Sequence, residues 1–267
     1  LLIISIIFII LGVGIFLYPS ISNYLAEKNH IDIIRNYDDL IVKIDEEKIN
    51  EEKEKAKIYN ENLSGDPVHD PFVIGSGYAL PENYKEVLNI AGDSVMGYVE
   101  IPKISVYLPI YHGTSDEVLE KGVGHIQNTS VPIGGKSAHS VLTGHTGLPN
   151  AELFTRLDEL GIGDIFYIHV LDDVLTYKVF ETKVILPDKI DELQILNGKD
   201  YITLVTCTPY GVNSHRLLVK AERVEYEEYS VTKSTTDEEG TDTKKESSSK
   251  HYYLTGTQIG IVLLVLI

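Results

Sequence analysis

The chain has 267 residues, with 40 acidic against 23 basic side chains and a formal charge of −17. So anionic a chain repels phosphate backbones and anionic headgroups, which excludes nucleic acid as a partner class. Its single cysteine excludes an intrachain disulfide. With no zinc-type Cys/His spacing, no EF-hand spacing of acids and no Gly-rich phosphate loop behind a strand, no metal and no cofactor are assigned.

In chain order, residues 1–18 form an apolar run broken only by Ser5, Gly12 and Gly14. That is about the ~20 residues a bilayer crossing needs. The run is too long for a signal-peptide core and lacks an Ala-x-Ala-type cleavage site, so it reads as an uncleaved anchor. Over 19–62 the spacing of Ile33, Ile34, Tyr37, Leu40, Ile41 and Ile44 predicts a helical face. The almost wholly charged stretch from Asp45 to Lys57 reads as a solvated helix or a hinge. Residues 63–80, with Ser64-Gly65-Asp66-Pro67-Val68-His69-Asp70-Pro71-Phe72, form a proline-punctuated loop that cannot continue a helix.

Strand-like runs then recur with turn residues between them, near 97–101, 105–111, 140–144, 164–170, 174–186, 201–207 and 215–224. This is the pattern of an antiparallel β-barrel. Thr114-Ser-Asp-Glu117 predicts a capping box opening a short helix, and Asn150 a cap for another through Leu157. Ser140-Val-Leu-Thr-Gly144-His145-Thr-Gly147 reads as a strand running into a Gly-rich turn that exposes His145. The run Tyr201-Ile-Thr-Leu-Val-Thr-Cys207 is a strand ending on the only cysteine, and Arg216 opens the returning strand after a turn-rich loop. A lone cysteine is as a rule a buried small hydrophobe. Two adjacent strand ends would instead set this thiol beside a guanidinium. His125, His139 and His169 read as structural or surface residues, and His215, next to Arg216, falls on the opposite sheet face by strand alternation. The acidic Ser/Thr-rich stretch 229–251 reads as a linker. Residues 252–267 read as a second, truncated membrane segment; since the sequence also begins with Leu, both ends are expected to be trimmed.

Taken together, Thr203-Leu-Val-Thr-Cys207 with Arg216, Gly124-His125-Ile126, Pro132-Ile-Gly-Gly135, Leu142-Thr-Gly-His145, Leu153-Phe-Thr-Arg-Leu157 and Gly163-Asp164 resemble the sortases, the membrane-anchored cysteine transpeptidases of Gram-positive surfaces. The resemblance covers most of residues 90–226. It implies a mainly β, sortase-type antiparallel β-barrel with short helices over 81–228, preceded by an N-terminal helical and lid region and flanked by transmembrane helices. It implies His145, Cys207 and Arg216 as the catalytic residues. Asp70-Pro71-Phe72 further resembles the lid motif of class C sortases, the pilin polymerases, in which Asp70 would pair with Arg216 and Phe72 would cover Cys207. The implied reaction cleaves an LPXTG-like sorting signal through a Cys207 thioester and transfers the acyl group to a lysine amine of a pilin subunit. The alternatives are an acceptor amine on a peptidoglycan precursor, or a non-catalytic surface assembly module. The implied location is the Gram-positive cell membrane with the catalytic domain outside.

Overall fold

The structure, a computed structural model, describes residues 2–63 and 83–225. The Asp70-Pro71-Phe72 motif, the acidic stretch 229–251 and the second apolar run 252–267 lie outside the described residues.

Helix α1 runs from Leu2 to Ile41 and helix α2 from Glu46 to Glu61. The expected anchor and the start of the expected helical region are thus one element, with Pro19 inside it. The first half of α1 turns its Ile, Leu and Phe side chains outward. Among the described residues it is the one helix long and apolar enough to cross a membrane. The second half buries His30, Ile34, Tyr37 and Ile41, spaced four, three and four apart, which is one face of a helix. The Tyr37 hydroxyl donates to the Met96 carbonyl (3.1 Å) and accepts from the Leu171 amide (2.8 Å), fastening α1 to the barrel at two points. Helix α2 is more than a solvated or hinge segment, because Ile49, Glu52, Ala56 and Tyr59 bury one stripe of it. Lys53 bridges Asp172 and Asp173 at 2.6 Å each. At the end of α2 the Asn60 amide donates to the Val131 carbonyl (3.1 Å) and accepts from its N–H (2.8 Å).

The remaining elements are β1 (Val95–Ile101), β2 (Val106–His112), α3 (Asp116–Leu119), β3 (Val123–His125), β4 (Ala138–Thr143), β5 (Ile165–Val170), β6 (Asp173–Ile185), β7 (Asp200–Thr208) and β8 (His215–Val224). The eight strands close into a barrel in the order β1-β2-β3-β4-β7-β8-β6-β5, which leaves no open sheet edge. Alternation fills it: Leu142, Ile202, Leu204, Leu217, Val219 and Ala221 point into the main core. Their neighbours Val141, Val205 and Leu218 point outward into a second apolar cluster with Ile126 and Leu193.

Two expectations are corrected. The barrel is mixed, since β2 pairs with β3 and β4 with β7 in parallel. The three-residue β3 is too short to show a period, so the parallel insertion it makes between β2 and β4 left no trace in the sequence pattern. No helix runs from Asn150 through Leu157; the segment is a series of turns ending in a 3-10 turn, Leu157–Glu159, because Leu153 adopts a left-handed φ of 41° and Phe154 turns into the core. The short helix after Thr114 does form as α3, with Ser115 at its N-cap, although its side chain makes no cap hydrogen bond.

Candidate active site

The outward face of β4, β7, β8 and β6 is a grid set by register. Cys207 stands directly opposite Arg216, and Arg216 opposite Ile185. One row along lie Thr143, Val205, Leu218 and Lys183, and the next row holds Val141, Thr203, Lys220 and Glu181. His145 lies just past β4. The Gly144 amide bonds the Val205 carbonyl (3.1 Å) and so continues the β4–β7 ladder; extending its register sets His145 level with Cys207 on the neighbouring strand, about 4.8 Å away in the sheet direction. The structure therefore pairs Cys207 with Arg216 across β7 and β8, and sets His145 two residues past the end of the adjoining strand β4. Cys207 is 8% exposed, Arg216 6%, and His145 is half-buried.

The histidine turn is held by groups the sequence did not single out. The Thr206 hydroxyl, one residue before the cysteine, donates to the Gly144 carbonyl at 2.7 Å. The Thr143 hydroxyl donates to the Val205 carbonyl at 3.2 Å, and the Phe154 amide to the His145 carbonyl at 3.1 Å. Gly144 lies so close to the Phe154 ring that a Cβ there would sit 2.9 Å from it. Gly147, at φ +75°, supports the exposed Tyr210 ring of the β7–β8 loop in the same way.

Partial burial holds the His145 pKa below its ordinary value, against the opposing pull of the Asp116 and Glu120 carboxylates. Its imidazole is therefore neutral at pH 7 and can accept a proton. Arg216 is aimed by its own loop: Nη1 donates to the carbonyls of Asn213 and His215, 3.1 Å each. His215 sits on the other face with its Nδ1 2.8 Å from the Ser214 hydroxyl. His125, His139 and His169 have structural surroundings. His125 is fully buried, with Nε2 2.9 Å from the Ser130 carbonyl and Nδ1 2.9 Å from the Tyr84 hydroxyl; burial pushes its pKa down to about 3. His139 lies between the Gln194 carbonyl (2.8 Å) and the Thr203 hydroxyl (2.7 Å). His169 stacks on Tyr98 at 4.2 Å and contacts Glu100. Among the described residues no three His, Cys, Asp or Glu side chains converge to hold a metal. Arranged this way, the row can deprotonate a thiol, hold the thiolate beside a fixed cation, and offer that cation to a developing oxyanion.

The sequence profile of the sortase domain matches residues 99–224. Sortase D of Bacillus subtilis is 33% identical over 131 residues, 48% of this chain and 63% of its own length, so the chain spans just under two thirds of that relative. Among solved structures, sortase C of Streptococcus pneumoniae is similar with a TM-score of 0.68 and 40% identity, covering 73% of this chain and 97% of that one. The pilus-related sortase C of Group B Streptococcus matches with a TM-score of 0.67 and 40% identity over 72% of this chain and 97% of that one. Sortases are cell-surface cysteine transpeptidases of Gram-positive bacteria. A matching domain profile, relatives at this identity over nearly their whole structures, and a mainly β barrel of the same kind together place this chain in the sortase family.

Proposed function

We propose that the chain is a class C sortase that cuts an LPXTG-like sorting signal between Thr and Gly and joins the acyl group to a lysine amine of a pilin subunit, at the outer face of the membrane in which α1 is anchored. The observation that carries this reading is the Cys207–Arg216 pair across β7 and β8, with His145 on the turn that leaves the adjoining strand β4. An unperturbed thiol titrates near ~8.5 and is mostly protonated at neutral pH. His145 accepts that proton, and the Arg216 cation favours the thiolate. Attack on the Thr carbonyl forms the C–S bond and a tetrahedral oxyanion, which Arg216 and the backbone N–H after the nucleophile stabilise; one such donor is worth about 3 kcal/mol. Collapse breaks the C–N bond, the protonated His145 gives its proton to the leaving Gly amine, and a thioester remains on Cys207. A lysine amine then attacks the thioester, loses its proton to His145 and leaves an isopeptide bond and a restored thiol.

Likeness to the pilus-related sortase C of Group B Streptococcus supports the pilin acceptor. The Asp70-Pro71-Phe72 lid is part of the same proposal on sequence grounds. Incubating the Asp70→Ala, Phe72→Ala chain with a pilin backbone subunit is expected to give a covalent ladder, with a thioester on Cys207 detectable by mass spectrometry, and Cys207→Ala is expected to abolish both. Product that appears only with a peptidoglycan-precursor amine would reject the pilin acceptor. The same lid substitutions are expected to raise the labelling rate of Cys207 by a thiol reagent, and an unchanged rate would rule out the lid.

A further inference from the structure

Helix α1 leaves the barrel on the side where the catalytic strand ends lie. Its Tyr37 is fastened to β1 through the Met96 carbonyl, and to Leu171 in the turn that joins β5 to β6. Seven residues earlier the buried His30 ring hydrogen-bonds the backbone of Lys121, two residues before β3 begins. Toward its N-terminus α1 therefore passes from β5 and β1 over β2 to the foot of β3, and the next strands around the wall are β4 and β7. Seven residues advance about 10.5 Å along a helix, and two strand spacings of about 4.8 Å take up most of that, so α1 runs mainly across the strands. Around a closed wall of eight strands each neighbour turns the surface by about 45°, so a rod lying over β2 points along the outward normal of β4, two strands on. Thr143, at the end of β4, pairs with Gly124 of β3 on one side and with Val205, two residues before Cys207, on the other. The Lys121 segment and the ends of β4 and β7 thus share one rim, and α1 departs toward it.

How far that rim stands from a bilayer is set by where α1 stops being apolar. Ile21, Tyr24 and Leu25 are exposed, Ala26 already packs against the core, and Glu27 and Lys28 are the first charges after the apolar run. Charged side chains stay out of hydrocarbon, and tyrosines such as Tyr18 and Tyr24 suit the headgroup level. The lipid boundary of α1 and its first barrel contact therefore fall within one helical turn, with no spacer between them. We infer that the rim formed by the Lys121 segment and the ends of β4 and β7 is a membrane-docking surface, held against the lipid headgroups with the outer faces of β4 and β7 turned toward the bilayer. The inference rests on the membrane-anchored reading above. The helix, not charge, makes this contact: Asp116, Glu117 and Glu120 are exposed beside Lys121, so the rim has no attraction of its own for anionic lipid. A peptide then reaches Cys207 by travelling along the headgroup layer, at the height at which a chain tethered in the same membrane presents its carbonyls.

The test uses the full chain in phosphatidylcholine nanodiscs doped with a lipid that carries a nitroxide on its headgroup. Cys207→Ala removes the only thiol. One fluorophore is then attached to a single new cysteine in each of three variants: Lys121→Cys at the rim, Lys178→Cys on the exposed face of β6, three strands beyond β4, and Tyr18→Cys in α1. The nitroxide is expected to quench the labels at 18 and 121, and the label at 121 severalfold more strongly than the one at 178. Equal quenching at 121 and 178, or stronger quenching at 178, overturns the inference while leaving the anchor intact. A label at 18 that escapes quenching shows that α1 does not enter the bilayer, and brings down the membrane-anchored reading together with this inference.

Discussion

Cys207 and Arg216 face each other across an antiparallel pair, and that placement decides how each residue is to be probed. Arg216 is held by two carbonyls of its own loop through one nitrogen, which leaves the planar fork oriented as a unit. A lysine keeps the charge but has no fork, so Arg216→Lys is expected to lower the rate of thioester formation by roughly 10²–10³-fold, the scale of one lost oxyanion donor, with the melting temperature little changed. Mass-spectrometric timing of the acyl-enzyme checks this. His145 gives a pH dependence whose sign follows from its burial. Its pKa lies below the ordinary 6.5, so the base is neutral at pH 7 and becomes protonated only as pH falls through a value under 6.5. Acylation is therefore expected to hold through neutrality and to decline on an acid limb below pH 6.5. A limb centred above that pH would contradict the assignment of His145 as base.

At the scale of elements, the proposed role of His145 depends on how its turn is attached to β7. Gly144 has the Phe154 ring 2.9 Å from where a Cβ would stand, while its own amide bonds the Val205 carbonyl of β7 and the Phe154 amide bonds the His145 carbonyl. Gly144→Ala must push either the ring or the turn aside. Overpacking of this kind costs about 1–3 kcal/mol, and a misplacement near 1 Å costs a reaction about 10²-fold. The variant is expected to lose acylation to about that extent while keeping its far-UV circular dichroism, so a fully active Gly144→Ala chain would show that the turn does not position His145. The strands carrying this site were legible because β7 and β8 alternate cleanly, which gave the inward Ile202, Leu204, Leu217 and Val219 and so the outward Cys207 and Arg216. What held His145 was not legible. The Thr206–Gly144 contact joins residues 62 apart in sequence, and the parallel β4–β7 pairing that creates it leaves no local pattern. The buried stripe of α2 was hidden for another reason: Glu52 sits within it among charged neighbours, so charge masked the spacing of Ile49, Ala56 and Tyr59. The 3-10 turn Ile190–Leu193 between β6 and β7 was missed because its attachments are ionic and distant in sequence, Glu192 meeting Lys220 from 28 residues away.

For the whole molecule, the number of neutral histidines in the interior sets the response to acid. His125 is held near pKa 3 and burial lowers His139 and His30 as well, whereas each would take a proton near 6.5 once unfolded. Between those limits the unfolded chain binds the extra proton and the folded chain does not, so stability is full above pH 6.5 and falls as pH drops toward 3. Each such group contributes a slope of up to about 1.4 kcal/mol per pH unit. Urea midpoints measured from pH 8 down to pH 4 are expected to decline below neutrality, and a flat profile would show that these rings are protonated in place. Asn60 supplies a second check at this scale. Its side-chain amide pairs with both backbone groups of Val131, so Asn60→Ala leaves two buried polar groups without their partner and is expected to cost about 1–3 kcal/mol in the same assay.

The unbroken course of α1 from the apolar segment to Tyr37 carries a geometric consequence. A flexible tether would fix only how far the barrel strays from the bilayer. A continuous helix fixes azimuth as well, because each residue advances about 1.5 Å and turns about 100°. One residue inserted between Ser20 and Ala26 would swing Cys207 and Arg216 through about 100° relative to the apolar half of α1, while four inserted residues would return them to within about 40° of their first heading at a height about 6 Å greater. On the proposed function, the yield of covalent pilin ladder is expected to rise and fall with the helical period of the insertion, as the compass bearing of the thiol changes.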